Sequence, residues 1–271
     1  MTSSEPKVSI IIATVNREMG EKARSNIEQV LANTIYGNFE VIAVEYEQTE
    51  ELKKIASRNF KILSQAKKLS FARNCNAGLK YSSGDYSLLL NNDVTVLSLD
   101  WLKKMVECGE NDKSIGIIGA KLLYPSGKVQ HCGGFVLKSG ESFFVGHYGK
   151  DLKVYPTVPT EVDYVTGACL LVKKAVVEKI GFLDEGFMTC FEDTDYCLRA
   201  NRAGYKTLVC PSAVLIHEEM ATRRSDPSQK IGMKDDYMRF KAKWISPNIG
   251  SGSFKYATYH VLQRIRSLLT S

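Results

Sequence analysis

The first strong signal along the chain is a short, unbroken apolar run, Val8–Ala13 (VSIIIA), rich in β-branched residues. Its length and composition predict a strand buried on both faces, as in a parallel sheet. Beyond Thr14-Val15-Asn16-Arg17, the residues Ala23, Ile27, Val30, Leu31 and Ile35 recur near helical spacing, with Glu21, Lys22, Glu28 and Gln29 outside them. That alternation predicts an amphipathic helix. Residues 39–44 read as a second buried strand. A polar helix near 50–58, a short strand at 61–63 and a helix near 71–81 follow. Residues 86–90 form another apolar strand, stopped abruptly by Asn91-Asn92-Asp93.

Strands alternating with helices predict an α/β fold whose mostly parallel central sheet is covered on both faces. Ligands of such sheets bind outside the carboxyl ends of the strands. Asn16, Glu45 and Asn91 to Asp93 each follow a strand, so they are expected to share one rim, and that rim is the expected nucleotide site.

The second half is less regular. Trp101, Leu102, Met105 and Val106 mark a helix, and 115–123 a strand containing glycines. Residues 127–155, rich in Gly, Ser and aromatics, predict short strands and a long loop. A strand at 168–172 precedes a helix at 174–180 closed by Gly181, and a helix at 192–203 is closed by Gly204. Two short strands, 207–210 and 214–216, follow. With no internal repeat and no low-complexity linker, residues 1–249 read as one domain. Residues 250–271 place Tyr256, Tyr259, Val261, Leu262, Ile265, Leu268 and Leu269 among Lys255, Arg264 and Arg266. That predicts a basic amphipathic helical tail, docked on its own domain or a second copy, or lying on a membrane surface.

Composition narrows the picture only modestly. The apolar fraction of 44% and charged fraction of 24% are those of an ordinary soluble domain. A net charge of +6 suits an acidic partner such as a nucleotide diphosphate or an anionic membrane. The basic residues are scattered and not interleaved with aromatics in a stripe, which argues against nucleic acid. Seven cysteines, an odd number with no C-x-x-C pair, predict buried reduced thiols and neither disulfides nor a zinc site. The N-terminus lacks an apolar signal core, and no apolar run reaches 18 residues. The expectation is a cytoplasmic protein, peripheral at most to a membrane.

Three constellations could carry chemistry. Leu88-Leu89-Leu90-Asn91-Asn92-Asp93 ends a buried strand in polar oxygens, as suits a divalent cation on a diphosphate, since Mg²⁺ and Mn²⁺ take one or two protein ligands and leave the rest to phosphate and water. It could equally be a plain turn. Glu192-Asp193-Thr194-Asp195 sets three carboxylates at the start of a helix, either an ordinary acidic first turn or the place of a general base. His217 closes the apolar run 214–216, as a structural histidine or as an imidazole ligand. His131, in Val129-Gln130-His131-Cys132-Gly133-Gly134, is a weaker candidate for touching substrate.

Taken in order and spacing, these segments resemble the family-two inverting glycosyltransferases of the GT-A fold, which include rhamnosyl- and galactofuranosyltransferases. The similarity runs from about Val8 to His217. It implies a single Rossmann-like GT-A domain, with a nucleotide-binding half near 7–95 and an acceptor-binding half near 96–249. Residues 8–17 look like the family's first strand and nucleotide-binding turn, making Thr14, Asn16 and Arg17 donor contacts. Residues 39–45 look like the second strand, whose acidic end, Glu45, faces the base or ribose; the family usually has Asp there, and Glu45-Tyr46 is a departure. Phe71-Ala72-Arg73-Asn74-Cys75-Asn76 matches the helix before the metal strand, with Arg73 and Asn76 as donor contacts. Asn91-Asn92-Asp93 matches the metal motif without its first carboxylate, leaving Asp93 as the direct ligand and Asn91 and Asn92 as donor contacts.

The same resemblance places Gly167 beneath the acceptor, Glu192 and Asp193 as the source of the catalytic base, Asp195 at the acceptor, and His217 in the metal shell. It implies transfer of a sugar from a nucleotide diphosphate-sugar to a hydroxyl of a glycan, a lipid-linked sugar or a protein. The cation would be Mn²⁺ or Mg²⁺, with the histidine favouring Mn²⁺. Two rivals stand beside it: a sugar nucleotidyltransferase, which would open with a glycine-rich basic phosphate loop that is absent after Ala13, and a degenerate sugar-binding or scaffold protein on the same fold. Dehydrogenase and P-loop fingerprints are absent.

Overall fold

The computed structural model describes residues 5–14, 20–46, 50–67, 69–136, 142–144, 155–218 and 228–245. Along the chain lie β1 (Val8–Ala13), α1 (Gly20–Ala32), β2 (Phe39–Glu45), α2 (Glu50–Lys53), β3 (Phe60–Ser64), α3 (Phe71–Tyr81), β4 (Tyr86–Asn91), β5 (Val94–Val96) and α4 (Trp101–Glu110). There follow β6 (Ile115–Leu123), β7 (Val129–His131), β8 (Gly134–Val136), β9 (Ser142–Phe144), β10 (Thr160–Val162), β11 (Cys169–Lys173), α5 (Lys174–Ile180), α6 (Glu192–Arg202), β12 (Lys206–His217) and α7 (Ser228–Trp244).

One sheet organises the molecule, in the order β10-β12-β6-β11-β4-β1-β2-β3, with β5 added to β12 and β7 to β6. The strands β4, β1, β2 and β3 run parallel, as the unbroken apolar runs predict. The strand β11 enters antiparallel between β4 and β6. Alternate residues of β1 serve the two faces. Val8, Ile10 and Ile12 meet α1 and α4 through Ile27, Val30, Trp101 and Leu102. Ile11 joins the opposite layer with Ala72, Cys75, Leu198 and Phe240, from α3, α6 and α7. This is the expected α/β domain with a central, mostly parallel sheet and helices on both sides.

Several boundaries differ from expectation. Ile35 was grouped with the buried face of the first helix, yet α1 ends at Ala32 and Ile35 is 64% exposed, its backbone N–H bonded to the Leu99 carbonyl at 2.8 Å. The polar helix near 50–58 is only Glu50–Lys53, because Leu52 is the one side chain it buries. The two short strands at 207–210 and 214–216 are one strand, β12, interrupted by a register shift: Cys210 pairs with Ala120, and the next pair is Val214 with Lys121. Pro211, which has no N–H to donate, sits in that bulge. The helix α7 had no counterpart in the sequence reading. The closures at Gly181 and Gly204 hold, with φ of 75° and 93°.

The expected thiols are present: all seven cysteines are free, and all but Cys190 are buried. Among the described residues no helix is long and apolar enough to cross a membrane. The tail at 250–271 lies outside the described residues.

Candidate active site

The carboxyl ends of β1, β2 and β4 lie side by side, since Ala13 pairs with both Val44 and Asn91. Thr14, Glu45 and Asn91 to Asp93 therefore share the rim the strand pattern predicts. Asn16 and Arg17 lie outside the described residues. Thr14 is buried, its hydroxyl donating to the Val44 carbonyl at 3.1 Å and its backbone N–H to the same oxygen at 2.9 Å. It closes the seam between β1 and β2. Glu45 is buried at the end of β2.

The centre of the rim is a four-residue cluster. His217 arrives at the end of β12, where it pairs with Val94 of β5, directly after Asp93. Its Nε2 lies 3.1 Å from Asp93 Oδ1 and 3.2 Å from Asn91 Nδ2. Gln130, buried on β7, fixes the ring. Its Nε2 donates to the His217 carbonyl at 3.2 Å, so its Oε1, 2.8 Å from Nδ1, must accept. The neutral ring thus carries its proton on Nδ1. Nε2 then presents a lone pair to a buried carboxylate oxygen that has no other partner. Two electron-rich atoms facing each other call for a proton or a cation between them. Their separation also suits adjacent ligands of an octahedral cation, about 3 Å for bonds of roughly 2.1 Å. Where a proton fills the gap, burial pushes the Asp93 carboxyl up, but the imidazolium of His217, the residue's own backbone N–H and Lys22 outweigh it and hold the acid below the usual carboxylate range.

These residues fit a divalent cation held by Asp93 and His217, with Gln130 as the outer support that commonly orients a metal-binding imidazole. Among the described residues no cluster of three or more His, Cys, Asp or Glu side chains forms a closed metal cage. Such a cation would keep positions for phosphate and water. Lys22 of α1 reaches over to an ion pair with Glu218, whose backbone N–H bonds the Asp93 carbonyl at 3.1 Å. Asn26 of α1 donates to the Asn92 carbonyl, so the motif's middle residue is tied down through its backbone.

The acidic pair lies one strand away. Asn91 N–H bonds the Ala168 carbonyl at 3.0 Å, and the neighbouring Gly167 N–H donates to Asp193 Oδ2 at 2.8 Å. Asp193 Oδ1 accepts from the Thr194 N–H at 2.6 Å and its hydroxyl at 3.2 Å. Asp193 is half-buried while Glu192 beside it is buried. Gly167 suits this approach, since a Cβ there would lie 3.3 Å from the Phe71 ring and 3.4 Å from Asp193 Cβ, a close fit. Cys75 lies beneath the pair, its thiol pushed up by burial and by Glu192 and Asp193.

Three expected contacts are replaced by structural ones. Asn76 is buried and fully engaged: Nδ2 donates to the Leu183 carbonyl and Glu185 Oε1, both at 3.0 Å, and Oδ1 accepts the Leu183 N–H at 2.9 Å. It ties α3 to the segment before the acidic pair and commits both of its amide N–H groups there. Asp195 was expected at the acceptor but is 0% exposed, bound by Arg199 at 2.9 Å, Lys243 at 2.7 Å and the Trp244 indole N–H at 2.8 Å. His131 is buried, its Nε2 accepting the Thr166 N–H at 3.2 Å. It shapes the turn before Gly167. Arg73 is half-exposed and paired with Glu185 at 3.3 Å. Sequence reasoning missed Gln130, beside the histidine it did single out, because nothing in the sequence distinguishes one buried glutamine.

The Glycosyl transferase family 2 model matches residues 9–181. The chain is 33% identical over 254 residues to the uncharacterized protein y4gI of Sinorhizobium fredii, covering 88% of this chain and 28% of that protein. It is 30% identical over 256 residues to the O-antigen biosynthesis protein RfbC of Myxococcus xanthus, covering 89% and 20%. The chain thus spans less than a third of the length of these relatives. Among solved structures it resembles the Pyrobaculum calidifontis mannosyltransferase PcManGT in complex with GDP-Man and Mn²⁺, with a TM-score of 0.64, 14% identity, and coverage of 99% of this chain and 75% of that one. It also resembles GalNAc-T7 with UDP, GalNAc and Mn²⁺, with a TM-score of 0.66, 14% identity, and coverage of 98% and 58%.

Proposed function

The chain belongs to glycosyl transferase family 2, and we propose that it transfers a sugar from a nucleotide diphosphate-sugar to an acceptor hydroxyl, with inversion at the anomeric carbon. The observation that carries this reading is the pairing of the two half-sites: Asp93 and His217 on one side, and Asp193, linked through Gly167 and Ala168 to Asn91, on the other. The Mn²⁺ complexes of both structural neighbours, one with GDP-Man and one with UDP and GalNAc, support the cation, and the similarity to the O-antigen biosynthesis protein RfbC supports a role in glycan biosynthesis.

A divalent cation on Asp93 and His217, Mn²⁺ for preference, would neutralise the charge that grows on the departing nucleotide diphosphate. Gln130 keeps the Nδ1 proton away from the site, and Asn91, whose Nδ2 lies 3.2 Å from Nε2, yields that lone pair to the cation and turns to the donor. Asp193 Oδ2 holds a single hydrogen bond from Gly167, so a lone pair is left to take the proton of the acceptor hydroxyl as it attacks. Attack from the face opposite the leaving group needs no covalent enzyme intermediate. Glu192, more deeply buried, is the less accessible carboxylate. Thr14, Glu45, Asn91, Asn92 and Arg73 border the donor, Arg73 on release from Glu185, and Gly167 floors the acceptor side.

Thermal unfolding against a panel of nucleotide diphosphates, with and without Mn²⁺, tests the reading. A ligand at a hundred times its dissociation constant adds about 2.7 kcal/mol. Stabilisation by one nucleotide only with metal, absent in Asp93→Ala, is the expected result. No stabilisation by any nucleotide would overturn it.

A further inference from the structure

Four residues of α7 hold the segment that delivers the acidic pair. Asp236 is buried, and its carboxylate accepts three consecutive backbone N–H groups: Met188 at 3.0 Å, Thr189 at 2.7 Å and Cys190 at 3.0 Å. One turn further along the helix, the Phe240 ring stacks on Phe191 with centroids 4.8 Å apart. Lys243 and Trp244, another turn on, bind the Asp195 carboxylate. The segment between these anchors contains the one described residue other than glycine with a left-handed backbone, Phe191, at φ 71°. A side chain held at such a φ is strained and persists only where its surroundings dictate it. Here the surroundings are α7. Phe191 caps α6 with its backbone in that conformation, and Glu192 and Asp193 are the next two residues.

We propose that Asp236 is a positioning residue for transfer: through its three backbone bonds it holds Phe191 in the left-handed conformation that aims Asp193 at the acceptor. The inference rests on Asp193 being the base. A carboxylate is suited to the task, because charge-assisted bonds to N–H groups are about twice as strong as neutral ones and three donors converge on it. An asparagine in its place would turn either its N–H₂ toward one of the donors or its single oxygen toward all three.

The test is Asp236→Asn in the full chain, read three ways. Amide hydrogen exchange across residues 188–193 is expected to accelerate in the variant. Binding of the stabilising nucleotide diphosphate with Mn²⁺ is expected to stay within about twofold, because Asp93 and His217 are untouched. Turnover is expected to fall about 10²-fold, the loss a displacement of about 1 Å produces at a reacting group. Full turnover, or exchange unchanged at 188–190, would overturn the proposal. So would turnover and nucleotide binding falling together. Should Asp236→Asn fail to fold, Asp236→Glu decides: it keeps the charge but carries the carboxylate one methylene away from the three N–H groups, so turnover must drop with nucleotide binding retained, and full turnover would overturn the proposal. A wild-type chain that binds nucleotide and metal yet transfers nothing would refute the proposed function, while the exchange measurement would still show whether Asp236 holds this loop.

Discussion

The carboxylate of Asp193 is bonded through Oδ2 to the backbone N–H of Gly167, 2.8 Å away and 26 residues earlier in the chain. That bond joins the first turn of α6 to the approach of β11, the strand paired to β4 and its metal motif. The proposed base and the proposed cation ligands are thereby referred to one backbone, so their spacing is set by the sheet and not by side-chain length. Asp193→Asn keeps this bond only by turning its oxygen to Gly167, and it removes the basic lone pair. Transfer should fall by about 10²- to 10⁴-fold with nucleotide affinity unchanged. Rate assays and calorimetry on the same preparation check it, and undiminished turnover would remove Asp193 from the mechanism.

Gln130→Leu leaves both proposed cation ligands, Asp93 and His217, in place and removes the group that fixes the His217 tautomer. Loss of such an outer support typically costs 10- to 100-fold in metal affinity. Titration with Mn²⁺, followed by its paramagnetic signal, should show that loss without loss of fold. Unaltered affinity would mean that Gln130 serves only the packing of β7.

Asn76→Ala separates structure from donor recognition. Three hydrogen bonds disappear and leave Leu183 N–H and Leu183 C=O without their partner, at a cost of about 2–3 kcal/mol. Urea unfolding should show the deficit, while nucleotide affinity extrapolated to the fully folded protein stays the same. A specific loss of nucleotide affinity with stability intact would restore Asn76 to the donor site.

Glu40 gives the fold an acid-sensitive anchor. Burial pushes its carboxyl up, but Lys61 at 2.6 Å, Ser9 at 2.8 Å, Lys7 at 3.1 Å and Ser83 at 2.9 Å prevail and hold it at about 2, against an ordinary value of 4.5. The folded carboxyl binds its proton less readily than the unfolded one, so its contribution is complete above about pH 4.5 and is lost as the pH falls toward 2. Glu40→Gln should lose about 2 kcal/mol at neutral pH, and the difference from wild type should close across that window. A difference independent of pH would refute the assignment.

What the sequence revealed and what it hid follow from the range of the interactions. Residues 71–81 and 174–180 were legible to the residue because a helix writes its period into consecutive positions. The rim was legible because Ala13, Glu45 and Asn91 each end an apolar run. Asp195 and Asn76 were assigned to the substrates by resemblance alone, and only tertiary contacts reveal that Trp244, Lys243 and Leu183 bond their side chains. The helix α7 was invisible for a related reason. Its buried positions, Asp236, Phe240 and Trp244, include a carboxylate, while Met233 and Met238 face outward, so the apolar pattern points to no single face.

The bulge in β12 sets a parity. Before it, the even-numbered Leu208 and Cys210 face the layer of α1 and α4; after it, the odd-numbered Ala213 and Leu215 do. Three residues inserted opposite none is an odd number, and an odd number exchanges the faces of every residue that follows. His217 owes its direction to that count. Deleting any one of Pro211, Ser212 or Ala213 would leave each residue from Val214 onward chemically intact and rotated to the wrong side, with the imidazole turned from Asp93. The direction of the imidazole is therefore encoded partly as arithmetic on chain length, in residues four to six positions upstream of the histidine they aim.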